Sequence, residues 1–314
     1  MVDLAAPLYR RSVPGLVDQR QEPGGVRNLL LVGDYAIEVA APGVTKFSNI
    51  EAIRLLAHVQ YDYARFALSS LESILLSRTP KYTPRAAAWP LVQLYYSAFY
   101  AGHAIMRATG RGIVRIDATL PSRITKLGQL YVGDEFELTS GTYEFWLEGI
   151  GQAQMSMSIR RVDAGAAVHI SFWEQFRRFL NDVGTTAVAN HEADAPQIVA
   201  RIEEFFRLLA SSGPLSSGQL SETRNAISYR HELAVWFQFI SSASKGRPVP
   251  KLELKGNENV RLDILPKHEP RDAFTNAAHY LACLNYDLAE MIVARSRSSD
   301  FGRTWARLKK DAGS

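Results

Sequence analysis

The stretch WPLVQLYYSAFYAGHAIMRATG, Trp89–Gly110, decides the fold. Leu91, Leu94, Tyr95, Ala98, Gly102, Ile105 and Met106 recur at three- and four-residue steps, so one face of a helix is apolar from end to end. Pro90 suits a first helical turn and Gly110 a stop. Gly102 and its alanine neighbours leave room for a second helix to approach closely. The reading is a central packing helix, and the rest of the chain is organised around it.

Before it, residues 49–77 carry a second helical pattern, with Ile53, Leu56, Tyr61, Ala64, Leu68, Leu71 and Leu75 at three- to five-residue steps. Ahead of that, RNLLLVGDYAIEV reads as one or two strands broken at Gly33-Asp34. After Gly110 the pattern changes. GDEFELTSGTYEFWLEG and AQMSMSIRRVDAGAAVHISF hold short alternating runs between glycines, which predicts a small antiparallel sheet. Helical spacing returns at 173–180, 198–209, 219–240 and 272–294, with one possible strand at 259–265.

The expectation is a mainly α fold: an antiparallel helical bundle with a β-containing insertion and N-terminal β elements. Its parts are an N-terminal extension (1–45), a bundle in two pieces (46–110 and 197–294), an inserted α/β region (111–196) and a basic C-terminal tail (295–314).

Composition narrows the function classes. The 314 residues are 46% hydrophobic and 22% charged, the balance of a globular chain. The single cysteine, Cys283, excludes an internal disulfide and a thiolate metal cluster. No apolar run approaches the roughly 18 residues that span a bilayer, and the first residues lack a signal-type apolar core, so a cytoplasmic location and no membrane partner are expected. Net charge is +4, which allows a polyanion partner without demanding one. Arg295–Lys310 is basic and contains Trp305, which reads either as a phosphate-holding, base-stacking patch or as a solvated extension. Neither a Walker loop, a dinucleotide GxGxxG, an HExxH nor a GxSxG elbow occurs, so no cofactor or metal is expected.

The chemistry-bearing segment is LSETRNAISYRHELAVWFQFI, residues 220–240. On one helix, Arg224 and His231 lie seven residues apart, nearly two turns, and project from one side about 10 Å apart. Asn225 flanks them. Histidine exchanges protons near neutral pH, and the arginine fork matches phosphate oxygens. Such a pair suits RNA cleavage by the adjacent 2′-hydroxyl, giving a 2′,3′-cyclic phosphate and a 5′-hydroxyl. One histidine serves two proton transfers poorly, and a symmetric dimer would supply a second set. His103 reads as a satisfied core histidine, His191-Glu192-Asp194 and His268-Glu269 as ordinary loop residues, and Tyr229 as a packing residue of the same helix.

Arg224-Asn225 followed after six residues by His231, counted from the arginine, resembles the motif of the HEPN superfamily, and the aromatic- and alanine-rich helix of 91–110 resembles that superfamily's second helix. The resemblance touches about 130 residues discontinuously and leaves 1–45 and 111–195 outside it. It implies a HEPN-type bundle, a homodimer, and a metal-independent endoribonuclease with Arg224, Asn225 and His231 catalytic, in the manner of a toxin or defence effector, with RNA and a regulatory protein as partners. The alternative it also allows is a catalytically inactive interaction module that binds protein or nucleic acid.

Overall fold

A computed structural model describes residues 3–18, 24–78, 88–162, 168–210, 219–230, 252–254, 256–262, 270–296 and 299–313. Within them the chain is mainly helical and carries one five-stranded antiparallel sheet. The elements are α1 (Ala5–Arg10), α2 (Val26–Val32), β1 (Ala36–Ala41), β2 (Val44–Glu51), α3 (Ala52–Ser77), α4 (Ala88–Ala108), β3 (Arg111–Ile116), α5 (Leu120–Val132), β4 (Gly141–Glu148), β5 (Gln154–Arg161), α6 (Val168–Ala189), α7 (Ala195–Ala210), α8 (Gln219–Ser228), α9 (Pro270–Arg295) and α10 (Asp300–Gly313).

Helices α3, α4 and α9 form the centre. Leu91, Leu94, Tyr95, Ala98, Ala101 and Ile105 of α4 are fully buried, as the quoted stretch requires. Two polar contacts tie this centre together: Ser97 donates to the Ser70 carbonyl at 2.8 Å, and Asn285 donates to that of Ala67 at 3.4 Å. Gly102 makes the close approach possible. A Cβ built there would lie 2.8 Å from the Phe172 ring of α6, closer than packed carbons tolerate.

The sheet runs β1-β2-β5-β4-β3, so the N-terminal hairpin joins the later strands in one sheet. Phe47, Met157 and Leu147 fall in one register row, Thr45, Ile159, Phe145 and Gly112 in the next. Side chains alternate across a strand, so these rows share the face that buries Phe47, Phe145 and Met157. The opposite face is polar. Glu148 accepts from Ser158 (2.6 Å) and Trp146 (3.0 Å) and pairs with Lys46 at 3.0 Å.

A buried ion pair fastens helices to sheet. Arg107, 2% exposed, reaches Asp62 of α3 at 3.5 Å and donates to the Ile113 carbonyl of β3 at 2.9 Å. Asp62 also accepts from the Val26 amide at 3.2 Å, which satisfies a free donor at the start of α2. Phe66 lies under the Arg107 guanidinium, its ring centroid 4.5 Å away, and stacks on His103.

Several sequence expectations change. RNLLLV is helical rather than extended; Val26, Leu29 and Leu30 are buried at helical spacing, and Gly33, at φ 76°, ends the turn before β1. A short apolar run does not distinguish the two periods. The boundary placed at 45/46 cuts through β2. Ile53, assigned to the apolar side of α3, is 63% exposed. Residues 120–132, inside the region read as sheet, form α5. The described part of the strand expected at 259–265 is a 3-10 turn at Asn257–Asn259 followed by irregular backbone to 262.

The basic tail is in part a docked helix: Phe301 and Trp305 of α10 are buried, and Glu290 of α9 accepts from Trp305 (2.5 Å) and Lys309 (2.6 Å). Trp305 is therefore unavailable to stack on a base. No helix among the described residues is long and apolar enough to cross a membrane.

Candidate functional site

Helix α8 carries Arg224 and Asn225 and ends at Ser228. Tyr229 donates its amide to the Asn225 carbonyl at 2.9 Å, four residues on, and Arg230 donates to the same carbonyl at 3.3 Å, five residues on. His231, which the sequence reading places on the same helix, lies outside the described residues. So does His268.

Arg224 is 9% exposed. Its guanidinium donates to the Asn225 side-chain oxygen at 2.8 Å, to the Tyr229 hydroxyl at 3.4 Å, and through Nη2 to Nε2 of His169 at 3.2 Å. Three tyrosine rings surround it: Tyr95, Tyr229 and Tyr96, with centroids 5.5, 5.7 and 5.9 Å from the guanidinium carbon. Among the described residues no carboxylate pairs with Arg224, and its buried Nε–H meets no acceptor. A cation this sheltered normally carries a counter-charge.

The hydrogen-bond directions around His169 follow from the donors. Arginine only donates, so the His169 Nε2 atom accepts and Nδ1 carries the proton. Nδ1 then donates to the Tyr95 hydroxyl at 2.9 Å, which also accepts from Trp173 Nε1 at 3.3 Å. Burial lowers the His169 pKa, and the neighbouring Arg224 charge lowers it further. Its place in the first turn of α6 adds the positive end of a helix dipole in the same direction. The imidazole is held neutral, in one tautomer, against a cation.

The fold fixes this geometry through α4 and α6. Phe99 sits between His103 and His169, with centroids 4.6 Å from each, and His103 stacks on Phe172 at 4.0 Å. The ring stack joins the Arg107–Asp62 pair to the site, and Gly102 sets the helix separation on which it depends.

Sequence reasoning placed Arg224 and Asn225 together, which the structure keeps, and missed His169. That residue lay inside AQMSMSIRRVDAGAAVHISF, read as alternating strand. The available signal was the helical spacing of Phe172, Trp173, Phe176, Phe179 and Leu180, which extends back to His169. Two other described histidines are held by the fold. His103 is buried and its pKa falls well below the usual range through burial and then the Arg107 charge. His279 contacts the Glu253 carbonyl at 2.9 Å, and Cys283 is buried. Glu192 and Asp194 clamp Arg10 and Arg11 of the N-terminal segment. Tyr229, expected to pack, is 74% exposed.

No family model matches the chain, and neither a curated protein nor a solved structure matches it.

Proposed function

We propose that the chain is an endoribonuclease of the HEPN type whose active centre is built on Arg224. The observation that supports this reading most is a sheltered guanidinium with no carboxylate partner among the described residues, touching a neutral imidazole. A phosphodiester supplies the missing anion. Its non-bridging oxygens would take the Arg224 donors, releasing the Nε2 lone pair of His169.

His169 then acts as general base toward the ribose 2′-hydroxyl. The 2′-oxygen forms its bond to phosphorus while the bond from phosphorus to the 5′-oxygen breaks. A second group returns a proton to the leaving oxygen; His231, by its place in the motif, takes that role. Charge gathered on phosphorus is met by Arg224, with Asn225 holding the guanidinium. The exposed Tyr229 ring offers a face on which a flanking base stacks. With two imidazoles assigned to one Arg224, each subunit has a full set of proton-transfer groups, and a homodimer would place two centres side by side rather than complete one.

The test is cleavage of single-stranded RNA by the purified chain in EDTA. The proposal expects cutting at ribose positions, and none where a single 2′-deoxynucleotide replaces the ribose 5′ to the scissile phosphate. Cutting that ignores this replacement would remove the mechanism.

A second reading has its own observation. The three tyrosines and Asn225 already enclose the Arg224 guanidinium, an arrangement that also serves as a structural lock in an inactive interaction module. That reading expects no RNA cleavage and a loss of folding stability in Arg224→Ala.

A further inference from the structure

An apolar groove with an acidic wall lies where the β1–β2 hairpin tip faces residues 132–139. Its cavity is about 780 Å³. Val39 and Val132, 53% and 42% exposed, line it together with Thr45 and Tyr143. Leu130 and Tyr131, in the last turn of α5 beside Val132, are 82% and 56% exposed. Large side chains clustered in this way leave apolar area in water at a cost of about 25 cal/mol for each Å².

The wall is built rather than draped. Residues 135–138 alternate, with Phe136 and Leu138 buried and Glu135 and Glu137 outward, and Asp134 before them is exposed. Phe136 seats on Gly128 of α5, where a Cβ would fall 2.2 Å from its ring. Thr125 receives the Leu138 amide at 3.0 Å, and Gln129 donates to the Asp134 carbonyl at 3.2 Å. The anchors hold three carboxylates out along one rim. Among the described residues the only cation lining the groove is Arg161, whose guanidinium donates to Thr139 at 3.0 Å.

We infer that this groove docks a basic polypeptide segment of a protein partner, with apolar side chains set against Val39 and Val132 and lysine or arginine heads against Asp134, Glu135 and Glu137. Charge complementarity selects the occupant: the rim repels a nucleic-acid backbone and attracts a cationic chain. The inference does not depend on the chemistry at Arg224.

The probe is a short fluorescent peptide of alternating leucine and lysine, with a leucine–glutamate peptide as its counterpart, titrated by anisotropy into the full chain. Saturable binding is expected for the basic peptide and none for the acidic one. The double variant Glu135→Lys, Glu137→Lys should weaken it at least about tenfold, and Val39→Asp comparably. All three positions are exposed, and circular dichroism checks that the variants remain folded. Absence of binding, equal binding of the acidic peptide, or binding unchanged in both variants would overturn the proposal. So would self-association, or RNA binding, that Val39→Asp abolishes in place of peptide binding.

Discussion

Arg224 of α8 donates to His169, at the start of α6, across 3.2 Å. The contact puts a fixed positive charge on a proton-exchanging group, and the first prediction rests on it. His169→Ala should lower RNA cleavage about 10²- to 10⁴-fold, the range of a lost general base. His169→Gln restores a hydrogen-bond partner for Arg224 but not the proton transfer, so it should remain as slow. Single-turnover rates on one RNA decide the point, and a rate restored by glutamine would make the contact structural.

Much of this was legible in the sequence, and the misses have physical causes. The apolar face of Trp89–Gly110 and the role of Gly102 could be read directly, because a helix buried along its whole length leaves a complete periodic record. Arg224 and Asn225 were adjacent in the chain and stayed adjacent in space. His169 was not readable as a partner because it is 55 residues away, with the rest of α6 and all of α7 between the two positions. Val26–Val32 was too short to reveal its period. The C-terminal helix was concealed by its charge: its single buried stripe, Phe301 and Trp305, sits among basic residues.

The helix approach at Gly102 gives a packing test. Gly102→Ala places a methyl 2.8 Å from Phe172 and should cost about 1–3 kcal/mol. Because Phe172 lies in the ring stack that positions His169, the same substitution should also slow cleavage. Urea denaturation measures the first effect, and the rate of the folded variant measures the second.

Removing Asp62 leaves the Arg107 cation buried without its carboxylate. Asp62→Ala should destabilise the chain by about 3–5 kcal/mol. Asp62→Asn keeps an acceptor for the Val26 amide but not the charge, so it should fall between the two. Denaturation midpoints at constant slope check the order, and equal stability of all three would show that the pair contributes little.

Three histidines set a pH dependence. His103, His169 and His279 all have pKa values lowered in the folded chain, each chiefly by burial. The unfolded chain then binds more protons than the folded one below the ordinary histidine value of about 6.5. Stability should be flat above that pH and fall as the solution is acidified through and below it, by at most about 1.4 kcal/mol per pH unit for each histidine. His103→Gln should shallow the slope; a chain that gains stability on acidification over this range would contradict the assignment.

The central claim is that Arg224 anchors an RNA-cleaving centre, and the most direct measurement is the chemistry of the ends. RNA incubated with the purified chain in EDTA is resolved by mass spectrometry, beside the Arg224→Ala variant shown to be folded. The account predicts 2′,3′-cyclic phosphate and 5′-hydroxyl ends from the native chain and their loss, by two orders of magnitude or about that, in the variant. Intact RNA across a broad panel, or the same products at an unchanged rate from Arg224→Ala, would contradict it.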